Sequence, residues 1–475
     1  MLKLRIVITL LFFSQYGIAQ NPNPSVSVDN YILDEMEAEH APGMSTLIVK
    51  GGEIVWLNHY GFADVENNVT VSDSTAFMLA SISKVFTGTA LMHLRQSGHI
   101  NLDEDINNYL DFDIDIPNFE TDSITFRMLM THTASILDND TPMDTYYSNG
   151  DPTISLSDVI QRYFSTSGSD YNTSLNFSNN APGTAYEYSN MGTALAGYMV
   201  EAVSGMDFSE YCNTHIFDKL CMNNTSWYLA DYDTNTVARP YQWSGNQYVP
   251  YAHYGFADYP DGQLRSTSLD LANFLLAYLQ DGTFNGQELI SSASINEMLT
   301  LQIVPLDATQ GLNWYLEDVF LSGGGTVSLW GHNGGESGVS TDMYIDRANN
   351  IGVAVISNGE GDNLNVVDEL YNYALTLSPS GVGTPPCNAL GVAFLPETTF
   401  TIYPNPSAGF VHIDVNQKSM GFELFLYNSV GKLVDTEWLA SSQHYTYQLP
   451  ETNGLYLIQL VDSEGASKTL RLVKE

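Results

Sequence analysis

Residues 77–88 read Phe77-Met78-Leu79-Ala80-Ser81-Ile82-Ser83-Lys84-Val85-Phe86-Thr87-Gly88. A serine three residues before a lysine shares a helical face with it. The run from Ser81 to Gln96 has no proline and one glycine, carries apolar residues at Val85, Leu91, Met92 and Leu94, and meets Ser97-Gly98 at its end. That pattern predicts a helix. At its start the Ser81 N–H has no intrahelical acceptor and is free to receive an oxyanion. The helix dipole and partial burial are expected to lower the Lys84 pKa toward a neutral amine that can take the serine proton.

The spacing alone is weak. The chain has eight lysines, and two of them follow a serine by three residues. The other pair, Ser429 with Lys432, falls on a strand and turn where no helical face is shared. Between residues 20 and 380 only Lys50, Lys84 and Lys219 occur, so Lys84 is not drawn from a rich pool of surface lysines.

Two further groups can complete a site. Tyr188-Ser189-Asn190 places a tyrosine and an amide two residues apart on a loop, where both can face one cleft. A tyrosinate beside a lysine can act as base and then as acid, and Asn190 can bond a substrate amide or Lys84. In a chain with 29 tyrosines this turn would carry little by itself. His332-Asn333-Gly334-Gly335 follows a strand expected at 326–330. Gly334 and Gly335 let a strand edge approach a substrate closely, and the Gly335 N–H can be a second oxyanion donor. A structural role for His332 is the competing reading.

In this order and spacing the three groups resemble the serine β-lactamase-like and penicillin-binding-protein-like family, nearest its class C and esterase branch. Met128 to Ser135 (MLMTHTAS) is similar to that family's Thr-His-Thr-Ser-Gly stretch. Gly262-Gln263-Leu264-Arg265-Ser266-Thr267 is similar to its Gly-Gly-Leu-x-Ser-Thr segment, and Ile216-Phe217 with Leu220-Cys221-Met222 to its Ile-Phe-x-Pro-Leu-Gly-Met segment. The resemblance implies that Ser81 is the nucleophile of an acyl-enzyme and that Lys84 and Tyr188 share the acid–base work. It also implies that Asn190 orients substrate and Lys84, and that the N–H groups of Ser81 and Gly335 form the oxyanion hole. His332 and Asn333 stand where penicillin-binding relatives carry the Lys-Thr that grips a substrate carboxylate. A histidine largely neutral at pH 7 weakens that grip. Hydrolysis of a small ester or amide is therefore expected first, a D-amino-acid or cell-wall peptidase second and a β-lactamase third. A non-catalytic surface protein binding peptidoglycan fragments is the alternative from another class. No cofactor and no metal are expected, since no His/Asp/Cys cluster has zinc-ligand spacing.

Ser45 to Leu57 reads as a hairpin around Gly51-Gly52. Helices are expected at Ala194 to Val203, closed by Gly205, and at Asp270 to Leu279, capped by Ser268. Strands are expected at 326–330, 342–346 and 351–356. Strands at both ends of a helical middle predict one α+β domain whose sheet brings its two ends together. The resemblance implies a β-lactamase/transpeptidase-like domain over 22–378, with an antiparallel sheet flanked by helices plus a helical subdomain. Residues 137–181 and 228–260 carry Tyr146, Tyr147, Tyr171, Tyr228, Tyr241, Trp243, Tyr248, Tyr251 and Tyr254 among polar residues, with Trp227 just before the second stretch. They read as substrate-shaping insertions or as packing.

Residues 379–395 form a small-residue and proline linker. Residues 396–475 alternate in short strands with turns and predict a small all-β sandwich. Tyr403-Pro404-Asn405-Pro406, Tyr427 to Lys432, Gly454-Leu455-Tyr456 and Lys468 to Lys474 resemble the C-terminal sorting domain of the type IX secretion system of Bacteroidetes. The resemblance implies passage across both membranes of a Gram-negative cell, with release or surface attachment. At the other end, residues 1–19 read as a signal peptide: Lys3 and Arg5, an apolar run from Ile6 to Phe13, then Gly17-Ile18-Ala19. No other stretch is long enough for a transmembrane helix.

Composition bounds the rest. The chain has 475 residues, 44% hydrophobic, with 55 acids against 16 bases and a formal net charge of −39. That balance argues against nucleic acid and anionic membrane as partners. The three cysteines cannot make a disulfide scaffold; Cys212 with Cys221 is one possible pair, leaving Cys387.

Overall fold

The computed structural model describes residues 21–379 without a break and, beyond them, strand segments between residues 393 and 474. The expected signal peptide lies outside the described residues, as does most of the expected linker. The chain divides into two units, Met1–Thr384 and Pro385–Glu475.

The first unit is built on a hairpin of β1 (Gly43–Lys50) and β2 (Glu53–Asp64). Gly51 and Gly52 turn it at φ +60° and +91°, a left-handed pair that glycine adopts without strain. β3 (Val69–Thr70) extends its outer edge. The other strands come from the far end of the domain: β4 (Tyr315–Phe320), β5 (Thr326–Glu336), β6 (Val339–Asp346) and β7 (Ile351–Ser357). The sheet runs β4-β5-β6-β7-β1-β2-β3, every pair antiparallel, so β7 pairs with β1 and the two ends of the domain meet. β1 is buried along all but its last residue because helices cover both faces. On one face α1 (Val26–Ala38) brings Val28, Ile32 and Met36, and α5 (Leu364–Thr376) brings Val367, Leu370 and Ala374, against Ile48, Val353 and Val355. On the other face α4 (Ser268–Leu279) lays Leu275 over Gly352, where a β-carbon would come within 3.4 Å.

The helical subdomain lies between β3 and β4. Its centre is α2 (Ser83–Gln96), buried on nearly every side, packed on α3 (Asn190–Ser204). Buried polar groups of α2 are hydrogen-bonded within the interior: Thr87 Oγ1 donates to Pro260 O (2.7 Å) and Thr89 Oγ1 to Val85 O (2.7 Å). Several expected boundaries move. α3 begins at Asn190, four residues early, because Ser189 Oγ accepts from Gly192 N (2.9 Å) and caps it; Gly205 ends it at φ +71°. Asn190 is thus a helix residue and not a loop residue. α4 is capped by Thr267, whose Oγ1 accepts from Asp270 N (3.2 Å), and not by Ser268. β5 continues through His332 to Glu336, so the glycines lie inside the strand and not after it.

Cys212 is a free thiol sealed in the core, and Cys221 is disulfide-bonded. The Cys212–Cys221 pair is therefore not formed. Among the described residues no helix is long and apolar enough to cross a membrane.

The second unit contains a five-stranded and a three-stranded sheet, antiparallel except where Ala393–Phe394 pairs parallel with Ala466-Ser467. Val411, Ile413, Leu424, Leu426, Tyr447 and Ile458 form its core.

Candidate active site

Ser81 lies in a single 3-10 turn, Ala80–Ile82, that leads into α2. The turn is entered through Ala80 at φ +47°, a strained conformation for a residue with a β-carbon. Neighbours fix it: Leu79 N donates to Leu264 O (2.7 Å), and Thr341 Oγ1 of β6 donates to Leu79 O (2.7 Å).

Lys84 is the second residue of α2 and has no exposed surface. Its ammonium donates to Ser81 Oγ (3.0 Å) and to Asp261 O (2.8 Å), and lies 5.0 Å from the centre of the Tyr188 ring. Burial pushes the Lys84 pKa down, as the spacing suggests. The negative charges of Tyr188 and Asp261, a hydrogen bond with Tyr188 and the charge of Asp138 outweigh burial, and the net shift is upward. The expectation of a neutral resting Lys84 is therefore corrected. The acids that reverse it are remote in sequence.

Tyr188 stands on the loop before α3, 42% exposed, its ring 4.4 Å from that of His132. His132 Nδ1 accepts from Ser189 N (3.2 Å), so its proton sits on Nε2. Burial first, then the charge of Lys84, keeps it neutral with a pKa well below the usual value. Asp138 accepts from Asn190 N, Met191 N and Ser189 Oγ, each at 2.9 Å, and so pins the first turn of α3. Asn190 is held through its backbone; among the described residues its side chain makes no hydrogen bond to Lys84. Asp138 and His132 position the tyrosine loop and were not singled out from sequence. His132 does lie in the quoted stretch 128–135.

β5 supplies the opposite wall. β4 pairs with β5 only up to Gly331, and beyond it the 3-10 turn packs on β5. A β-carbon on Gly334 would lie 2.8 Å from Ser81 N and 2.5 Å from Leu79 O and Thr341 Oγ1, so only glycine fits there. A β-carbon on Gly335 would meet nothing within 4 Å. The His332 ring lies 6.4 Å from that of Tyr188 and 5.1 Å from that of Tyr315. Its Nδ1 donates to Asn333 O (2.5 Å), which leaves the Nε2 lone pair free. Burial first, then the Lys84 charge, hold its pKa at about 3, so His332 is neutral at pH 7.

Of the aromatic residues in and beside the insertions, Tyr146, Trp227, Tyr241 and Tyr254 are buried and serve as packing, whereas Tyr147 and Trp243 are exposed. Tyr147 stands nearest the strand edge of the site. It is 42% exposed, lies 5.1 Å from the Phe256 ring, and donates to Glu336 Oε2 (2.9 Å). The arrangement thus gathers a hydroxyl, a buried ammonium and a phenol beside a glycine strand edge, with a neutral His332 next to them.

The family model described as Beta-lactamase matches residues 28–378, and that described as Secretion system C-terminal sorting domain matches residues 401–475. Penicillin-binding protein 4* of Bacillus subtilis (strain 168) is 25% identical over 354 residues, covering 70% of this chain and 71% of its own length. Protein flp of Staphylococcus aureus (strain MW2) is 26% identical over 249 residues, 52% of this chain and 47% of the relative, so the match spans about half of that protein. Among solved structures, the octameric penicillin-binding protein homologue from Pyrococcus abyssi superposes with a TM-score of 0.57 at 21% identity, over 94% of this chain and 96% of that one. D-alanine carboxypeptidase AmpC from Burkholderia cenocepacia gives 0.56 at 20% identity, over 74% and 98%. At these identities the likeness is one of fold.

Proposed function

The chain belongs to the beta-lactamase family, and on that premise we propose that it is a serine hydrolase that cleaves small esters or amides through an acyl-enzyme on Ser81. The observation that carries this reading is the 3.0 Å bond between Lys84 Nζ and Ser81 Oγ, made by a lysine with no exposed surface. A structural lysine would not be buried against a serine hydroxyl at the mouth of a glycine-edged cleft.

In the proposed reaction Ser81 Oγ attacks the substrate carbonyl carbon. Its proton passes to the coupled Lys84–Tyr188 pair, which, with Lys84 resting as the ammonium, takes it on the Tyr188 oxygen. The carbonyl oxygen becomes an oxyanion held by the N–H groups of Ser81 and Gly335. Collapse expels the alcohol or amine, which takes the proton back, and leaves Ser81 acylated. Water then repeats the sequence and releases the acid. Asn190 meets the substrate, since its amide is not spent on Lys84. We place this hydrolase in residues 22–378.

Ester hydrolysis ranks ahead of action on penicillins or carboxylate-ended peptides because His332, neutral and buried, offers no cation to a carboxylate. The sorting tail supports export to the cell surface or beyond by type IX secretion, following a leader at residues 1–19. The test is turnover of 4-nitrophenyl acetate by the wild type and by Ser81→Ala. The reading predicts burst acylation and turnover in the wild type alone; equal hydrolysis by both would sink it.

A further inference from the structure

The proposed reaction leaves a group of acids around the cleft without a task. Side chains alternate along β5, so Glu336 lies on the same face as Gly334, two residues and about 7 Å further along. That face meets Ser81, because the Gly334 β-carbon position lies 2.8 Å from Ser81 N. Glu336 accepts from Tyr147 OH (2.9 Å), and the half-exposed Tyr147 ring packs on Phe256.

The turn that holds Lys84 carries Asp258 and Asp261, 2% and 6% exposed. One carboxylate oxygen of each, Oδ1, is buried with no hydrogen-bond partner. A buried carboxylate oxygen left unpaired is costly unless it holds a proton or faces a cation. Burial pushes both carboxyls up; each also feels Asp138, Glu336 and Lys84, and Asp261 feels Asp258. The charges of Glu336, Asp261 and Asp258 also raise the Tyr147 hydroxyl, so all three lie within electrostatic reach of it. Of the cations nearby, Lys84 is committed to Ser81 and Asp261, and Arg265 donates to the carbonyls of Tyr254 and Gln263.

We propose that this part of the cleft is a specificity site for a substrate ammonium group, formed by the Glu336 carboxylate and the Tyr147 ring, with the buried carboxyls of Asp258 and Asp261 beside them. A carboxylate and an aromatic face are the two groups that hold an organic cation. The separation of Glu336 from the Gly334 position suits an acyl chain a few carbons long that carries a terminal ammonium. A carboxylate-bearing substrate meets repulsion at the same place. The inference rests on the acyl-enzyme reading above and names its substrate class.

The test compares three aryl esters on the full-length mature protein: 4-nitrophenyl 4-(trimethylammonio)butanoate, its uncharged isostere 4-nitrophenyl 5,5-dimethylhexanoate, and the 4-nitrophenyl monoester of glutaric acid. The site predicts a kcat/KM for the cationic ester at least tenfold above the neutral one, with the glutaryl ester slowest. It also predicts that Glu336→Gln brings the cation-to-neutral ratio to within about threefold of one, an internal ratio that general damage to the enzyme does not mimic. Hydrolysis of all three with equal kcat/KM, or a preference for the glutaryl ester, overturns this inference and leaves the acyl-enzyme reading standing. If none acylates Ser81, both fail together.

Discussion

Lys84 reaches its two acceptors from a position without solvent, and that determines what its loss does. In Lys84→Met, Ser81 Oγ and Asp261 O lose their donor and the acid–base pair is broken. General acid–base contributions of about 10²–10⁴-fold set the scale of the expected fall in kcat. An unpaired buried carbonyl costs about 1–3 kcal/mol, so the melting temperature should also drop modestly. Steady-state kinetics and thermal unfolding of the same preparation check both. Tyr188→Phe removes the phenol but keeps the ring against His132, so it should lower kcat on the same scale and leave stability nearly unchanged. Comparable loss of both would mean that Tyr188 is mainly structural. Ser81, Lys84, Tyr188 and His332 were legible in the sequence because each sits in a short segment whose residue types suit acyl transfer. Asp138 and Asp261 were not. Their effect on Lys84 exists only once distant segments close around it, and together with Tyr188 they reverse the direction of its expected pKa shift.

At the scale of elements, the site depends on two close approaches between backbones. One is β5 against the 3-10 turn at Gly334. Gly334→Ala would drive a methyl into Ser81 N, Leu79 O and Thr341 Oγ1. We expect a loss in kcat of about 10²–10³-fold, the range for losing one oxyanion donor, measurable with a simple aryl ester. The other is α3 against the turn carrying Asp261. A β-carbon on Gly197 of α3 would lie 2.5 Å from Pro260 Cβ. Alanine is the better helix former by about 1 kcal/mol, yet overpacking costs about 1–3 kcal/mol, so Gly197→Ala should be destabilising. It should also slow turnover, because Pro260 adjoins the carbonyl that holds Lys84. Higher stability with unchanged kcat would show that the two elements are not tightly docked. The hairpin, α2 and the late strands were readable from periodicity and glycine placement. The start of α3 was not, because Tyr188-Ser189-Asn190 reads as a turn until Ser189 and Asp138 are seen to cap it. The length of β5 was hidden by its own glycines, which interrupt the apolar alternation that marks a strand.

For the whole molecule, buried ionisable groups set the pH dependence of stability. Burial raises Glu201 and Asp270 to about 7 and Asp342 to about 8. A carboxyl raised in the folded state binds its proton more tightly there than in the unfolded chain. Its contribution is present at low pH and is lost as pH rises through the folded value. The depressed histidines act oppositely: His332 at about 3, with His93 and His253 at about 4, weaken the fold only as pH falls below their unfolded value near 6.5. Between pH 6.5 and 8 the acids outweigh the histidines, which oppose them near the lower limit, and unfolding free energy should fall by about 2 kcal/mol. Urea titrations of residues 20–380 at the two pH values test this; a rise in stability toward pH 8 would mean that these carboxyls are ionised in the fold. The two-unit organisation was legible from the change in texture near residue 380. The cysteine pairing was not, since three cysteines permit more than one arrangement and burial alone sets Cys212 aside.

The measurement that bears most directly on the central claim is the intact mass of the protein, quenched in acid after brief exposure to a short-chain aryl ester, with Ser81→Ala as control. The account predicts one acyl adduct on the wild type, mapped to the peptide containing Ser81, and none on the variant. Turnover without a wild-type adduct, or an adduct of equal yield on Ser81→Ala, would contradict it.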